Sequence, residues 1–288
     1  MWSFDGTVTD SNGTYNGQLV NGATYTASGS TNLPYFGNGR ALSLTSSSSQ
    51  YFLVSTPFLN LAYTSFTIEA WIYALSITGD NGIFTQCQCP TCQDQCFTFL
   101  IRGGHLAASF TYNGVTETYA NITTSTWYHV AFVYSYETSY QTLYLNGYQD
   151  TNKSHAEPYQ GTNGSILIGA SRGYVSMSYF NGYIDNVKVA TRAKSATEIL
   201  NAATLIAHYP FDTPSPNNDN GPNGINGNSS NTGSTTGRVN QAMRFTGSTS
   251  FFQAYGFYQM GLGVVSNYPF SISMWINPSS NTTACTIV

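Results

Sequence analysis

An alternation of side chains with a period of two is the feature that most limits how this chain can fold. Over residues 66–73 every second position is apolar, and the positions between carry Thr, Glu, Trp and Tyr. Such a period predicts a two-faced strand. Residues 130–134 alternate in the same way, and residues 143–147 have the pattern of a strand that enters an Asn-Gly turn. Many short strands with almost no helix predict an all-β fold, a two-sheet antiparallel β-sandwich.

The chain also repeats itself at long range. Residues 2–5 (WSFD) return as 209–212 (YPFD), 41–44 (ALSL) as 242–245 (AMRF), and 66–72 (FTIEAWI) as 270–276 (FSISMWI). The offsets are 207, 201 and 204 residues, and small loop insertions account for their spread. A period of this length predicts tandem domains rather than a solenoid of short repeats. We expect a first domain over residues 1–203 and the N-terminal part of a second, truncated domain over residues 204–288.

Charge is scarce in this sequence, and that excludes several partners. Only 8% of the residues are charged, against roughly 25% in an average protein. With nine Lys and Arg and a net charge of −4, no basic patch is expected, so we predict no nucleic-acid partner. A run of about 18 apolar residues is also missing, so we expect no membrane insertion of this segment.

Four cysteines, Cys87, Cys89, Cys92 and Cys96, fall within ten residues. Disulfides, a zinc site and free thiols are all compatible with this spacing, although structural zinc sites usually set two cysteine pairs further apart. We favour two local disulfides, most simply Cys87–Cys96 outside and Cys89–Cys92 inside, because the Pro-Thr between the inner pair suits a tight turn. With the scarcity of charge, this predicts an extracellular or cell-surface location.

Catalytic patterns are missing from the sequence. Retaining glycoside hydrolysis needs two carboxylates about 5–5.5 Å apart, yet no two acidic residues lie within four positions of each other. None of the four histidines, His105, His129, His155 and His208, lies beside a nucleophile motif. We therefore expect no enzyme and no catalytic residue. By default, Trp71 and Trp127 are expected to pack in the core.

Several motifs together resemble those of a known family, the laminin-G-like domains of the concanavalin A-like lectin and glucanase superfamily. The motifs are FTIEAWI at 66–72, WYHVAFVY at 127–134, LYLNG at 143–147, IG at 168–169, FNGYIDNV at 180–187 and ATRAKSATEI at 190–199. They cover most of residues 1–203 in the order found in the family. The last motif departs at Lys194, where the family usually carries Leu. A helix start is expected there, because Ser195 and Glu198 form a capping box.

The resemblance implies a jelly-roll sandwich and a binding function. Ile184 and Val187 are both apolar but three positions apart, which a bulge at Asp185-Asn186 would reconcile. The resemblance implies that Asp5 and Asp185 could share a structural Ca²⁺. We expect a non-catalytic extracellular adhesion module that recognises a carbohydrate or an extracellular protein. The alternatives are a spacer repeat without a ligand and an accessory domain of a glycoside hydrolase.

Overall fold

A computed structural model describes residues 1–27, 40–111, 115–172, 176–221, 225–257 and 270–279. In this structure two large antiparallel sheets lie face to face and enclose one apolar core, which confirms the predicted all-β sandwich. Its last strand is followed by one short helix, and two small sheets come after the helix.

The strands are numbered here in chain order. Those before the helix are β1 (Gln18–Val20), β2 (Thr24–Tyr25), β3 (Leu42–Leu44), β4 (Tyr51–Val54), β5 (Phe66–Ala74), β6 (Asp80–Cys87), β7 (Cys96–Arg102), β8 (His105–Phe110), β9 (Val115–Asn121), β10 (Trp127–Ser135), β11 (Tyr140–Leu145), β12 (Tyr148–Lys153), β13 (Ser165–Ile168), β14 (Ala170–Arg172), β15 (Met177–Tyr179) and β16 (Gly182–Ala190). A single 3₁₀ turn, Ser46–Ser48, precedes β4. The α-helix α1 (Ala196–Thr204) is followed by β17 (Gly227–Ser230), β18 (Thr232–Thr236), β19 (Gln241–Phe245) and β20 (Phe251–Ala254).

Strand order explains how distant parts of the chain meet. Sheet 1 runs β1-β4-β13-β6-β7-β8-β9, and sheet 2 runs β12-β11-β10-β5-β16-β3-β2. The central strand β5 is therefore paired with β10 on one side and with β16 on the other. The N-terminal segment joins sheet 2 as well, because Trp2 forms an isolated bridge with Val187 of β16.

The core is rich in aromatic rings. Phe66 is wholly buried, and its ring lies 5.4 Å from that of Phe97 and 5.8 Å from that of Phe132 between ring centroids. Burial of such large rings dominates the stability of a core. Neither Trp71 nor Trp127 belongs to this cluster, so the expectation that both are core residues is wrong. Both lie on the outward face of sheet 2 and are half-buried.

Local signals in the sequence correspond to observed features. The Asn-Gly turn joins β11 to β12, and both Asn146 and Gly147 have positive φ. The capping box begins α1, where the Ser195 side chain accepts the backbone N–H of Glu198. The bulge expected near the end of the sandwich is present, because the register between β16 and β5 shifts after Asp185.

Candidate ligand-binding face

Three aromatic rings form a row across the outer face of sheet 2. In the register of the sheet, Tyr73 of β5 lies opposite Trp127 of β10 and opposite Tyr183 of β16. Ring centroids are 5.4 Å apart for Tyr73 and Trp127, and 5.5 Å apart for Tyr73 and Tyr183. All three side chains are half-buried, so part of each ring faces solvent. We call Tyr73, Trp127 and Tyr183 the aromatic platform.

The platform is flanked by small polar residues. Tyr183 lies opposite Ser43 of β3, and Ser43 lies opposite Thr24 of β2. The row from Trp127 to Thr24 therefore carries no charged residue. Neighbouring strands are about 4.8 Å apart, so the three rings extend over roughly 10 Å. Such a surface offers flat apolar contacts and hydroxyl groups together, which suits a neutral ligand with both kinds of surface.

A buried charged cluster supports the same sheet face. Glu69 of β5 forms an ion pair with Lys194, and its Oε2 lies 3.6 Å from Nε2 of His129. Burial would raise the pKa of Glu69, but the contacts with His129 and Lys194 outweigh it and hold that pKa below its usual value. Burial also lowers the pKa of His129. His129 is therefore a buried structural residue.

The helix α1 covers the part of this face formed by β10 and β11. Ile199 packs against Ala131, Val133 and Tyr144 of β10 and β11. The segment before the helix is fixed at Thr67, whose hydroxyl donates to the carbonyl of Arg192. At its C-terminal end the helix lies against the turn between β11 and β12, where a Cβ on Gly147 would be 3.0 Å from Leu200 and Ala203.

Asp5 and Asp185 lie near the same junction of the chain, because Trp2 pairs with Val187 and the negative charge of Asp5 acts on Asp185. Asp185 lies in the bulge of β16 and is wholly buried. Its carboxylate accepts the backbone N–H of Asn186 at 2.8 Å. Burial raises the pKa of Asp185 well above its usual value, and the negative charge of Asp5 raises it further.

These residues fit a calcium ion chemically. Carboxylate oxygens are the ligands that Ca²⁺ prefers, and a cation would relieve the repulsion between the two acids. In the described part of the chain no group of three or more His, Cys, Asp or Glu side chains could hold a metal. Further ligands would therefore be carbonyl oxygens or waters.

A disulfide-bonded hairpin connects β6 to β7. Cys87 at the end of β6 is directly opposite Cys96 at the start of β7, and a disulfide joins them. A second disulfide joins Cys89 to Cys92 at the tip. All four sulfurs are thus engaged in bonds with each other, which leaves no thiolate among them for zinc.

Loops around this hairpin hold it in place and carry exposed rings. Gln88 accepts the backbone N–H of Thr162 at 2.8 Å, and Gln160 donates its backbone N–H to the carbonyl of Asp94 at 2.8 Å. Large exposed side chains on the neighbouring loops and strand ends are Phe58, Tyr63, Tyr136 and Tyr140. Ring contacts among these four are not observed in the described residues, unlike those of the aromatic platform.

No motif in the sequence marks Tyr73 or Tyr183 as a binding residue, and the expectation that Trp127 packs in the core points away from the platform. The missed signal is strand parity, because Tyr73 and Trp71 share the face of Glu69 rather than that of Phe66. That the three rings are neighbours follows only from the order β10-β5-β16 in the sheet.

Two stacked antiparallel sheets around one apolar core define an antiparallel β-sandwich. The family profile described as the concanavalin A-like lectin/glucanases superfamily matches residues 45–200. The chain therefore belongs to this superfamily. A comparison with curated proteins found no match.

Solved structures support the same fold. One similar structure is domain 4 of a GH43 extracellular arabinanase from Geobacillus stearothermophilus, in complex with arabinotriose. It has a TM-score of 0.55 and 17% identity, and the match covers 70% of this chain and 96% of that one. Another is the Botulinum neurotoxin serotype G binding domain, with a TM-score of 0.50 and 12% identity, over 69% of this chain and 49% of that one. At these identities the likeness establishes the fold alone. No helix among the described residues is long and apolar enough to cross a membrane.

Proposed function

We propose that this chain is a non-catalytic module that binds a neutral glycan on the aromatic platform. The observation that carries the proposal is the row of three partly exposed rings, Trp127, Tyr73 and Tyr183, held on adjacent strands of one sheet. Rings fixed on strands lose little conformational freedom on binding, which reduces the entropic cost of holding a ligand. Their faces can cover the C–H surface of a sugar, while Ser43 and Thr24 offer hydroxyl groups beside them.

The placement of the acidic residues supports a role without catalysis. Asp80 forms an ion pair with Arg102, Glu198 pairs with Arg192, and Glu69 pairs with Lys194. Asp5 lies near enough to Asp185 for its charge to act on it, but Asp185 is wholly buried, so a sugar cannot reach it. A glycosidase would need two accessible carboxylates on either side of one glycosidic bond.

We further propose that the module works outside the cell and holds a structural Ca²⁺ between Asp5 and Asp185. Two disulfides in one hairpin and a low charge content support an oxidising, extracellular location. The ion would supply positive charge where the first and last segments of the sandwich meet. In that place Trp2 and Val187 already exchange two backbone hydrogen bonds of 2.9 and 3.0 Å.

The function is tested by screening the purified chain against a glycan array that includes neutral plant and microbial oligosaccharides, arabino-oligosaccharides among them. We expect binding to uncharged glycans, with no release of reducing sugar on prolonged incubation with the bound polysaccharide. Reducing-sugar release that survives repurification would identify an enzyme instead. A chain that binds no glycan in the presence of Ca²⁺ would favour the spacer alternative.

A further inference from the structure

The rings of the aromatic platform lie closer together than the strands that carry them. Trp127 and Tyr183 stand on β10 and β16, which flank β5 and are therefore two strand spacings, about 10 Å, apart. The centroids of their rings are nevertheless only 6.4 Å apart. With distances of 5.4 and 5.5 Å to the ring of Tyr73, the three centroids form a compact triangle. The platform is therefore one continuous patch of rings in mutual contact.

The planes of the three rings are inclined to one another. The angle between planes is 53° for Tyr73 and Trp127, 33° for Tyr73 and Tyr183, and 30° for Trp127 and Tyr183. An extended sugar chain that stacks one unit on each ring needs separate rings in a common plane. A single sugar unit is about as wide as one aromatic ring, so it can contact the inclined faces of neighbouring rings at once. The inclination therefore favours one bound unit over a run of units.

The surroundings of the patch offer no continuation of this stacking surface along the row. Beyond Tyr183 the row continues with Ser43 and then with Thr24, two small residues that carry hydroxyl groups. In the other direction along β5, the ring of Trp71 packs on His129, with 5.4 Å between ring centroids. A second sugar unit placed along the row past Tyr183 would thus meet small side chains rather than a ring.

We infer, on the basis of the proposed glycan-binding function, that the aromatic platform holds one neutral sugar unit. The module would then recognise a chain end or a side branch of one unit, rather than a stretch of polysaccharide backbone. The C–H face of the bound unit lies on Tyr73, Trp127 and Tyr183, and one of its edges faces the hydroxyl of Ser43. The next unit of the glycan extends into solvent.

The first test compares ligands of different length by NMR titration of the full chain. The probes are the methyl glycosides of arabinose, xylose, glucose, galactose, mannose and N-acetylglucosamine, each with the matching linear tetrasaccharide. For every sugar whose tetrasaccharide binds, we expect the methyl glycoside to bind within about threefold of the same affinity, because the further units make no ring contact. A tetrasaccharide that binds about tenfold or more tightly than its methyl glycoside would overturn the inference and leave the proposed function intact. Binding of none of the probes would contradict the proposed function and the inference together.

The second test asks whether the rings contact the same sugar unit. Tyr73→Ala and Tyr183→Ala should each weaken the methyl glycoside and the tetrasaccharide by the same factor, about fivefold or more, because each removes apolar contact with one shared unit. Tyr148→Ala removes a ring that is 67% exposed elsewhere on the surface and should bind both probes like the parent. If Tyr183→Ala weakens the tetrasaccharide but leaves the methyl glycoside unchanged, the rings serve different units and the inference is wrong. Far-UV circular dichroism of each variant checks that the sandwich is folded.

Discussion

Phe66 and Trp71 lie five residues apart on β5 and face opposite sides of the sheet. Phe66 points into the core, where it is wholly buried among other rings. Trp71 points outward, is half-buried and contacts the ring of His129 with a centroid distance of 5.4 Å. Because side chains alternate strictly along a strand, parity decides between core and surface even for the largest apolar residues.

This contrast predicts that removing the two kinds of ring lowers the free energy of unfolding by different amounts. Phe66→Ala should lower the free energy of unfolding by about 3–5 kcal/mol, as expected for the loss of a ring from a packed core. Trp127→Ala removes ring contacts on a solvent-facing surface and should lower the free energy of unfolding by only about 1 kcal/mol. Urea denaturation of the two variants measures both values. Similar losses for the two would contradict the outward placement of Trp127.

Acid should weaken the fold through His129 and Glu69. The pKa of His129 lies below its ordinary value of 6.5, and that of Glu69 lies below its ordinary value of 4.5. The unfolded state therefore binds protons more readily at both sites. Each residue contributes its full share to the free energy of unfolding above its ordinary pKa, and this contribution is lost as the pH falls. The charged groups facing this pair are Lys188 and Lys194.

We expect His129 to contribute a fall in melting temperature below about pH 6.5 and Glu69 a further fall below about pH 4.5, whereas the raised pKa of Asp185 contributes in the opposite direction. His129→Gln should reduce the change in melting temperature that the parent shows between about pH 6.5 and pH 4.5. Thermal melts in a series of buffers between pH 4 and 8 measure the difference between variant and parent. Identical profiles for His129→Gln and the parent would show that His129 does not carry the effect.

Among the elements, the hairpin of β6 and β7 carries the covalent cross-links. Cys87 and Cys96 are buried, whereas Cys89 and Cys92 are half-exposed at the tip. Neither disulfide connects the two sheets, because β6 and β7 are neighbours in sheet 1. The sandwich therefore does not depend on them for its topology.

Mild reduction should open Cys89–Cys92 before Cys87–Cys96, because the inner pair is the more accessible to a reductant. Full reduction should lower the free energy of unfolding by roughly 2–3 kcal/mol at most, because the closed loops are short. The sandwich should stay folded. Alkylation of released thiols followed by peptide mass spectrometry gives the order, and far-UV circular dichroism reports the fold. Four thiols that alkylate without any reductant would contradict the disulfides, and with them the extracellular proposal.

Local patterns predicted the elements better than they predicted the site. The alternation over residues 66–73 predicted β5 to within one residue of its observed bounds. The three-residue spacing of Ile184 and Val187 predicted the bulge at Asp185. The sequence does not predict the short strands β14 and β15, because three residues are too few to show an alternation of apolar and polar side chains. The platform required the order of strands in the sheet, which is set by contacts distant in sequence.

For the whole molecule, the N-terminal segment closes the sandwich by meeting the last strand. An ion held between Asp5 and Asp185 would stabilise the fold according to its concentration, by about 2.7 kcal/mol at a hundredfold excess over its dissociation constant. EDTA should then lower the melting temperature of the full chain, and Asp185→Asn should remove most of that sensitivity. Asp80→Asn, at a half-exposed ion pair, is the control that should keep it. An unchanged melt in EDTA, with no metal found by elemental analysis, would leave Asp185 as a hydrogen-bonding residue only.

The central claim is that a fold of the concanavalin A-like superfamily uses its outer aromatic row to bind glycans. Calorimetric titration of the strongest array ligand into the parent chain and two double variants tests it most directly. Tyr73→Ala with Tyr183→Ala should reduce affinity by about tenfold or more, since each ring would lose a buried apolar contact with the sugar that is worth about 1 kcal/mol. Tyr119→Ala with Tyr148→Ala removes two well-exposed rings elsewhere and should bind like the parent. Undiminished binding by the platform variant, with loss in the control variant, would contradict the claim.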